Sequence, residues 1–174
     1  MNTNLKRSID RAIDLMSTPA DYEDYISIKI KPTEGGCCCL NHWSKTWDNF
    51  NEYIYPSGPV KNEGAVIIDK NKTRFVLECH ESGPEIIVYL GFGTASIVLV
   101  KSVIDLIIAI LKARQNGYHN NSGKFKIIRR RLIKGEVDEE EIMELDLPLS
   151  EDNIKKLNEI VKENISQKVD REDI

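Results

Sequence analysis

Five residues have the types that hold metals or run thiol chemistry. Cys37, Cys39 and His42 lie close together, and Cys79 and His80 follow further along the chain. Alternation along a strand would put Cys37 and Cys39 on one face. If a neighbouring strand brought Cys79 alongside, then Cys37, Cys39, His42 and Cys79 could bind zinc, with His80 close by. The spacing nevertheless matches no common zinc module, and no CxxC knuckle is present. Free cysteines are among the residues most often buried in cores. The bland reading is therefore favoured: no cofactor is expected, and zinc is the alternative.

A second cluster is Glu78-Cys79-His80-Glu81, followed by Glu85. Carboxylates beside a histidine can transfer protons. Adjacent strand residues point to opposite faces, so Cys79 and His80 cannot form a dyad with each other, whereas Glu78 and His80 share a face. The duller account is a solvated strand end and a polar turn. There is no GxSxG, HExxH or Walker motif. Gly91-Phe92-Gly93 before a helix resembles a phosphate loop only in part, because the third glycine and the Lys-Ser/Thr pair are missing.

Charge is more strongly organised. Between Leu106 and Gly135 there are eight Lys/Arg and no acid; from Glu136 to Ile154 there are nine acids and no base. The basic block makes Lys126, Arg129, Arg130 and Arg131 candidates for binding an acidic partner. The structural alternative, which we favour, pairs Phe125–Ile133 with Ile142–Leu149 as a hairpin. Arginines would then face Glu144 and Asp146 across the ladder. Neighbouring acids would repel phosphates, so nucleic acid is disfavoured as a partner. A protein partner is expected, and a homo-oligomer is compatible with the same surface.

The elements that would position these residues can be read from periodicity. Leu5, Ile9, Ala12, Ile13 and Met16 repeat at helical spacing, and Pro19 stops the run. Tyr25–Lys31 alternates as a half-buried strand. Cys37–His42 reads as a short strand, and Trp43, Trp47, Phe50 and Ile54 as a helical stripe. Gly64–Asp69 and Thr73–His80 suggest a hairpin, Glu81–Glu85 a turn and Ile86–Leu90 a buried strand. A long helix is expected at about 94–115. Thr94, Val98, Lys101, Asp105, Ile108 and Lys112 fall on its one narrow polar stripe, so it should be buried on most sides. Ser150 should cap a last helix with the stripe Ile154, Leu157, Ile160, Val161 and Ile165. Strands cluster rather than alternate with helices, which indicates an α+β fold. The expected architecture is one domain over 1–167, with a polar tail at 168–174. Its antiparallel sheet would pack on the long central helix, between N- and C-terminal amphipathic helices.

The 174 residues suit one compact domain. With 41% hydrophobic and 30% charged residues and a net charge of −4, the chain is neither disordered nor a histone-like polycation. The N-terminus lacks the pattern of a secretory signal, and three consecutive cysteines make a poor disulfide framework. Both features point to the cytoplasm. A membrane-associated component using 86–111 is a further alternative. It is disfavoured because a span would bury Lys101 and Asp105 near its middle.

From Phe75 to Leu147 the order is a strand, the Glu81–Glu85 turn, the joint Gly91-Phe92-Gly93-Thr94-Ala95, a long apolar helix ending Leu111-Lys112-Ala113-Arg114, and a basic strand. This outline resembles the effector-associated constant component domains of bacterial conflict systems, small non-enzymatic domains that couple effectors to partner modules. The resemblance implies an adaptor in a bacterial defence or toxin–immunity system, without catalysis. The expectation is thus a non-enzymatic interaction module. A metal- or thiol-dependent site built on Cys37, Cys39, His42, Cys79 and His80 is the runner-up.

Overall fold

The computed structural model describes residues 3–33, 65–70, 73–80, 83–91, 97–117 and 123–166. In chain order the elements are α1 (Thr3–Met16), a 3-10 turn (Tyr22–Asp24), β1 (Tyr25–Pro32), β2 (Ala65–Lys70), β3 (Thr73–His80), β4 (Gly83–Tyr89), α2 (Ile97–Gly117), β5 (Gly123–Ile133), β6 (Glu136–Leu147) and α3 (Glu151–Ser166). The strands form one sheet in the order β2-β3-β4-β1-β5-β6, antiparallel throughout. The fold is α+β, as the clustering of strands indicates. The expected Cys37–His42 strand and Trp43–Ile54 helix lie outside the described residues, as does the tail.

Each face of the sheet buries its own core. On one side Ile26, Ile28, Ile30, Phe75, Leu77, Ile86, Val88, Phe125, Ile127 and Leu145 pack against α2 and α3. On the other, Leu5, Ile9, Ala12 and Met16 of α1 pack against Tyr25, Val76, Ile87 and Leu132. The alternation of β1 is thus used on both faces, with isoleucines towards the helix pair and Tyr25, Ser27 and Lys29 towards α1. The expected central helix is therefore a flanking layer. Lys101, Lys112 and Val98 of α2 are exposed, while Val103, Ile107, Ile110 and Leu111 are buried between the sheet and α3.

Local chemistry sets the element ends. Ser150 accepts the Asn153 backbone N–H at 3.1 Å and so caps α3, with Glu151 and Asp152 in its first turn. Ser17, at φ 53°, turns the chain out of α1. The Tyr25 hydroxyl then ties the following segment down by donating to the Pro19 carbonyl at 2.8 Å.

Two strand boundaries differ from expectation. Gly83, Pro84 and Glu85 belong to β4, although their residue types suggest a turn outside the sheet. Gly83 makes this possible. Its φ is +124°, and a Cβ there would lie 2.0 Å from the Ile30 carbonyl oxygen, so only glycine lets β4 close on β1. The second difference is β6, which starts at Glu136 and not at Ile142. Lys134 and Gly135, at φ 52° and 80°, form a two-residue turn of the kind that continues the strand twist. The acids directly beyond it are therefore drawn into the ladder.

The stretch 86–111 is not one span: its first residues lie in β4 and its last in α2. No helix among the described residues is long and apolar enough to cross a membrane.

Candidate functional site

A mismatch of size among the described elements creates the site. The six strands span about 24 Å at roughly 4.8 Å per gap. Two helices, α2 and α3, cover one face. Among the described residues the other face has only α1, whose 14 residues make a rod about 21 Å long and about 10 Å wide. It covers the end of the sheet that carries Tyr25, Val76, Ile87 and Leu132. The opposite end of that face carries polar side chains.

The register assigns those side chains to rows. One row runs Glu78, Glu85, Lys29, Ile128, Glu141 across β3, β4, β1, β5 and β6. The row nearer α1 runs Val76, Ile87, Ser27, Arg130, Glu139. The outermost pairs Lys31 with Lys126 and Lys126 with Glu144. Ile142 is an extra residue in β6, because the partners of Ile127 and Ile128 are Met143 and Glu141. This bulge puts both Glu141 and Glu144 on the α1 side, flanking a single lysine.

The inner part of the site is a buried ionic network. Glu85 and Glu78, both 1% exposed, stand directly opposite each other. Arg130 Nη1 lies 3.0 Å from Glu85 Oε1, and Arg130 Nε lies 3.1 Å from Glu139 Oε2. The Ser27 hydroxyl donates to Glu85, and Arg11 of α1 reaches Glu78 at 3.4 Å. Two adjacent buried carboxylates repel, and each has its own guanidinium partner. Lys29 completes the row beside Glu85. Burial is the main influence on its amine and pushes its pKa below the usual lysine value, partly opposed by the Glu85 charge.

The outer part is an open trough of about 310 Å³, lined by Lys31, Thr33, Lys126, Ile128, Glu139 and Glu141. Ile128, 7% exposed, is its apolar floor. Lys126 donates to Glu141 at 2.7 Å, which holds its pKa above the usual lysine value, and lies 3.9 Å from Glu144. Thr33 is fixed by donating its hydroxyl to the Lys124 carbonyl at 2.8 Å.

The residues singled out from sequence fall in different places. Arg129, Arg130 and Arg131 are all buried. Arg129 Nη2 bridges Asp138 and Glu140, at 2.9 Å each, on the helix-pair side. Arg131 stands opposite Asp138. The hairpin account therefore holds in kind, but Glu144 and Asp146 face Lys126 and Lys124, and the arginines face Asp138, Glu139 and Glu140. Of the four basic candidates only Lys126 lines the trough. Sequence reasoning misses Lys29 and Lys31 as binding groups; their one signal is the polar phase of an alternating strand.

Cys37, Cys39 and His42 lie outside the described residues. Cys79 and His80 end β3, opposite Pro84 and Gly83. Among the described residues no group of three or more His, Cys, Asp or Glu side chains could hold a metal ion. Compared with known protein families, curated proteins and solved structures, the chain finds no match.

Proposed function

We propose that the protein is a non-enzymatic interaction module, an adaptor that binds a partner protein through the sheet face α1 leaves open. The observation that carries this reading is the contrast between the two faces: one is covered by a helix pair, and the other, among the described residues, by a single short helix at one end. A rigid, mixed-charge sheet surface with an apolar floor suits protein recognition. The buried carboxylates beside it are engaged with guanidinium groups under α1 and stand away from solvent, which favours a structural role for them. The resemblance of 75–147 to effector-associated constant component domains supports the same role and would set it in a bacterial conflict system. The run of adjacent cysteines supports a cytoplasmic location.

Cross-linking mass spectrometry on the tagged protein in its own cells tests the reading. Links from Lys31 and Lys126 to another protein are expected. A chain that links to no other protein, or that links only through α2 and α3, refutes it.

A further inference from the structure

The charge layout of the trough specifies the kind of segment it receives. Lys31 stands directly opposite Lys126, and Lys29 is two residues along on the same face. Like charges directly opposite on neighbouring strands destabilise a sheet. Only one of the three is bonded directly to a carboxylate among the described residues, Lys126 to Glu141. The side chains of Lys29 and Lys31 make no hydrogen bond or ion pair among the described residues, although the charges of Glu85 and Glu139 favour the Lys29 ammonium. Lys29 carries its charge in a half-buried position, where an unpaired ammonium is costly. The nearby carboxylates are already engaged: Glu85 with Ser27 and Arg130, Glu139 with Arg130, and Glu141 with Lys126. The trough's lining thus sets Lys31 and Lys126 against Glu139 and Glu141 above the apolar floor of Ile128, and, both glutamates being engaged, Lys31 is the lining cation without a carboxylate among the described residues.

We propose that this end of the sheet docks an acidic extended segment of a partner protein, with one side-chain carboxylate seated at Lys31 and Lys126, Lys29 behind it, and an apolar neighbour on Ile128. The proposal rests on the interaction-module reading and names the partner's chemistry. The volume of about 310 Å³ equals about ten water molecules, room for one or two side chains. An isolated carboxylate fits the surroundings better than a nucleic acid does. Glu139, Glu141 and Glu144 rim the lysines, and a strand with a phosphate about every 3.4 Å would meet them. A peptide in extended form presents same-face side chains about 7 Å apart and can place a neutral residue next to each acid.

The test is a heteronuclear NMR titration of the full chain with an alternating Glu-Val hexapeptide. An alternating Lys-Val hexapeptide and inorganic phosphate serve as controls. Shifts confined to the backbone around 29–33, 126–128 and 139–141 are expected with the acidic peptide alone. Lys31→Glu should weaken binding about tenfold. Glu141→Gln should tighten it about threefold by releasing Lys126, a gain that a purely structural role for Glu141 would not produce. No shifts, shifts elsewhere, an equal response to phosphate or to the basic peptide, or no gain with Glu141→Gln would each overturn the proposal. The two readings fail separately. A cellular partner that Lys31→Glu does not release sinks the acidic dock and leaves the module standing. Absence of any partner sinks the module.

Discussion

Replacing Arg130 by methionine tests whether the network under α1 is the ionic keystone of this face. The side chain is 4% exposed, and its partner Glu85 is 1% exposed. Methionine keeps most of the volume but removes the guanidinium 3.0 Å from Glu85 Oε1. Glu85 is left with the Ser27 hydroxyl and the more distant charge of Lys29. Removing one partner of a buried ion pair costs about 3–5 kcal/mol, because the other charge remains desolvated. Lys29 offsets part of that, so the loss should be about 3 kcal/mol, within the roughly 5–15 kcal/mol stability of a typical domain. For a chain of this length that lowers Tm by about 6–12 °C. The double variant Arg130→Met with Glu85→Leu should recover most of the loss, since an apolar replacement of a whole buried pair is often neutral. Urea denaturation of the four proteins of the cycle, followed by circular dichroism, measures the coupling. A single-variant loss below about 1 kcal/mol, or a double variant no better than the sum of the singles, would mean that the Arg130–Glu85 pair does not hold this face together.

Three further outcomes are expected. Gly135→Ala puts a Cβ at φ 80° with no atom within 4 Å, so its cost is backbone strain alone, about 1–2 kcal/mol in thermal melts; Gly135→Asn should lose much less, and equal losses would contradict this account. Lys29→Met removes an amine whose pKa burial depresses, so it should raise stability at neutral pH. Wild-type stability should then gain on that variant as pH climbs from the depressed folded pKa towards the unfolded value of 10.5, and parallel pH profiles would argue against a buried charge. Tyr25 behaves in the opposite sense: burial raises its pKa above 10.0, so its contribution is complete below that pH and is lost as pH rises through the folded value. Alkaline denaturation should therefore be shallower in Tyr25→Phe, and an unchanged slope would count against the burial.

Part of the site is legible in the residues alone. The polar phase of Tyr25–Lys31 announces a strand with one wetter face, and the basic and acidic blocks announce a hairpin. Which charges meet is not legible there. Residues 136–141 carry almost no apolar alternation, and they become strand because the Lys134-Gly135 turn delivers them opposite the arginines of β5. Glu85 sits in a Gly-Pro-Glu sequence that reads as a turn. It is instead a buried partner of Arg130, because Gly83 lets β4 close on the Ile30 backbone. The candidates Arg129, Arg130 and Arg131 stand out for their charge density, and burial withdraws all three from the surface.

What the amino-acid order determined by itself is local. It sets the apolar stripes of α1 and α3, the Ser150 cap, the alternation of β1 and the α+β class, because helix and strand periodicities and caps depend on residues a few positions apart. The site itself is set by long-range packing. Which carboxylate a lysine meets depends on strand order, on the Ile142 bulge and, among the described residues, on how far α1 reaches across the sheet. Those are long-range pairings between segments far apart in the chain, and no local pattern encodes them.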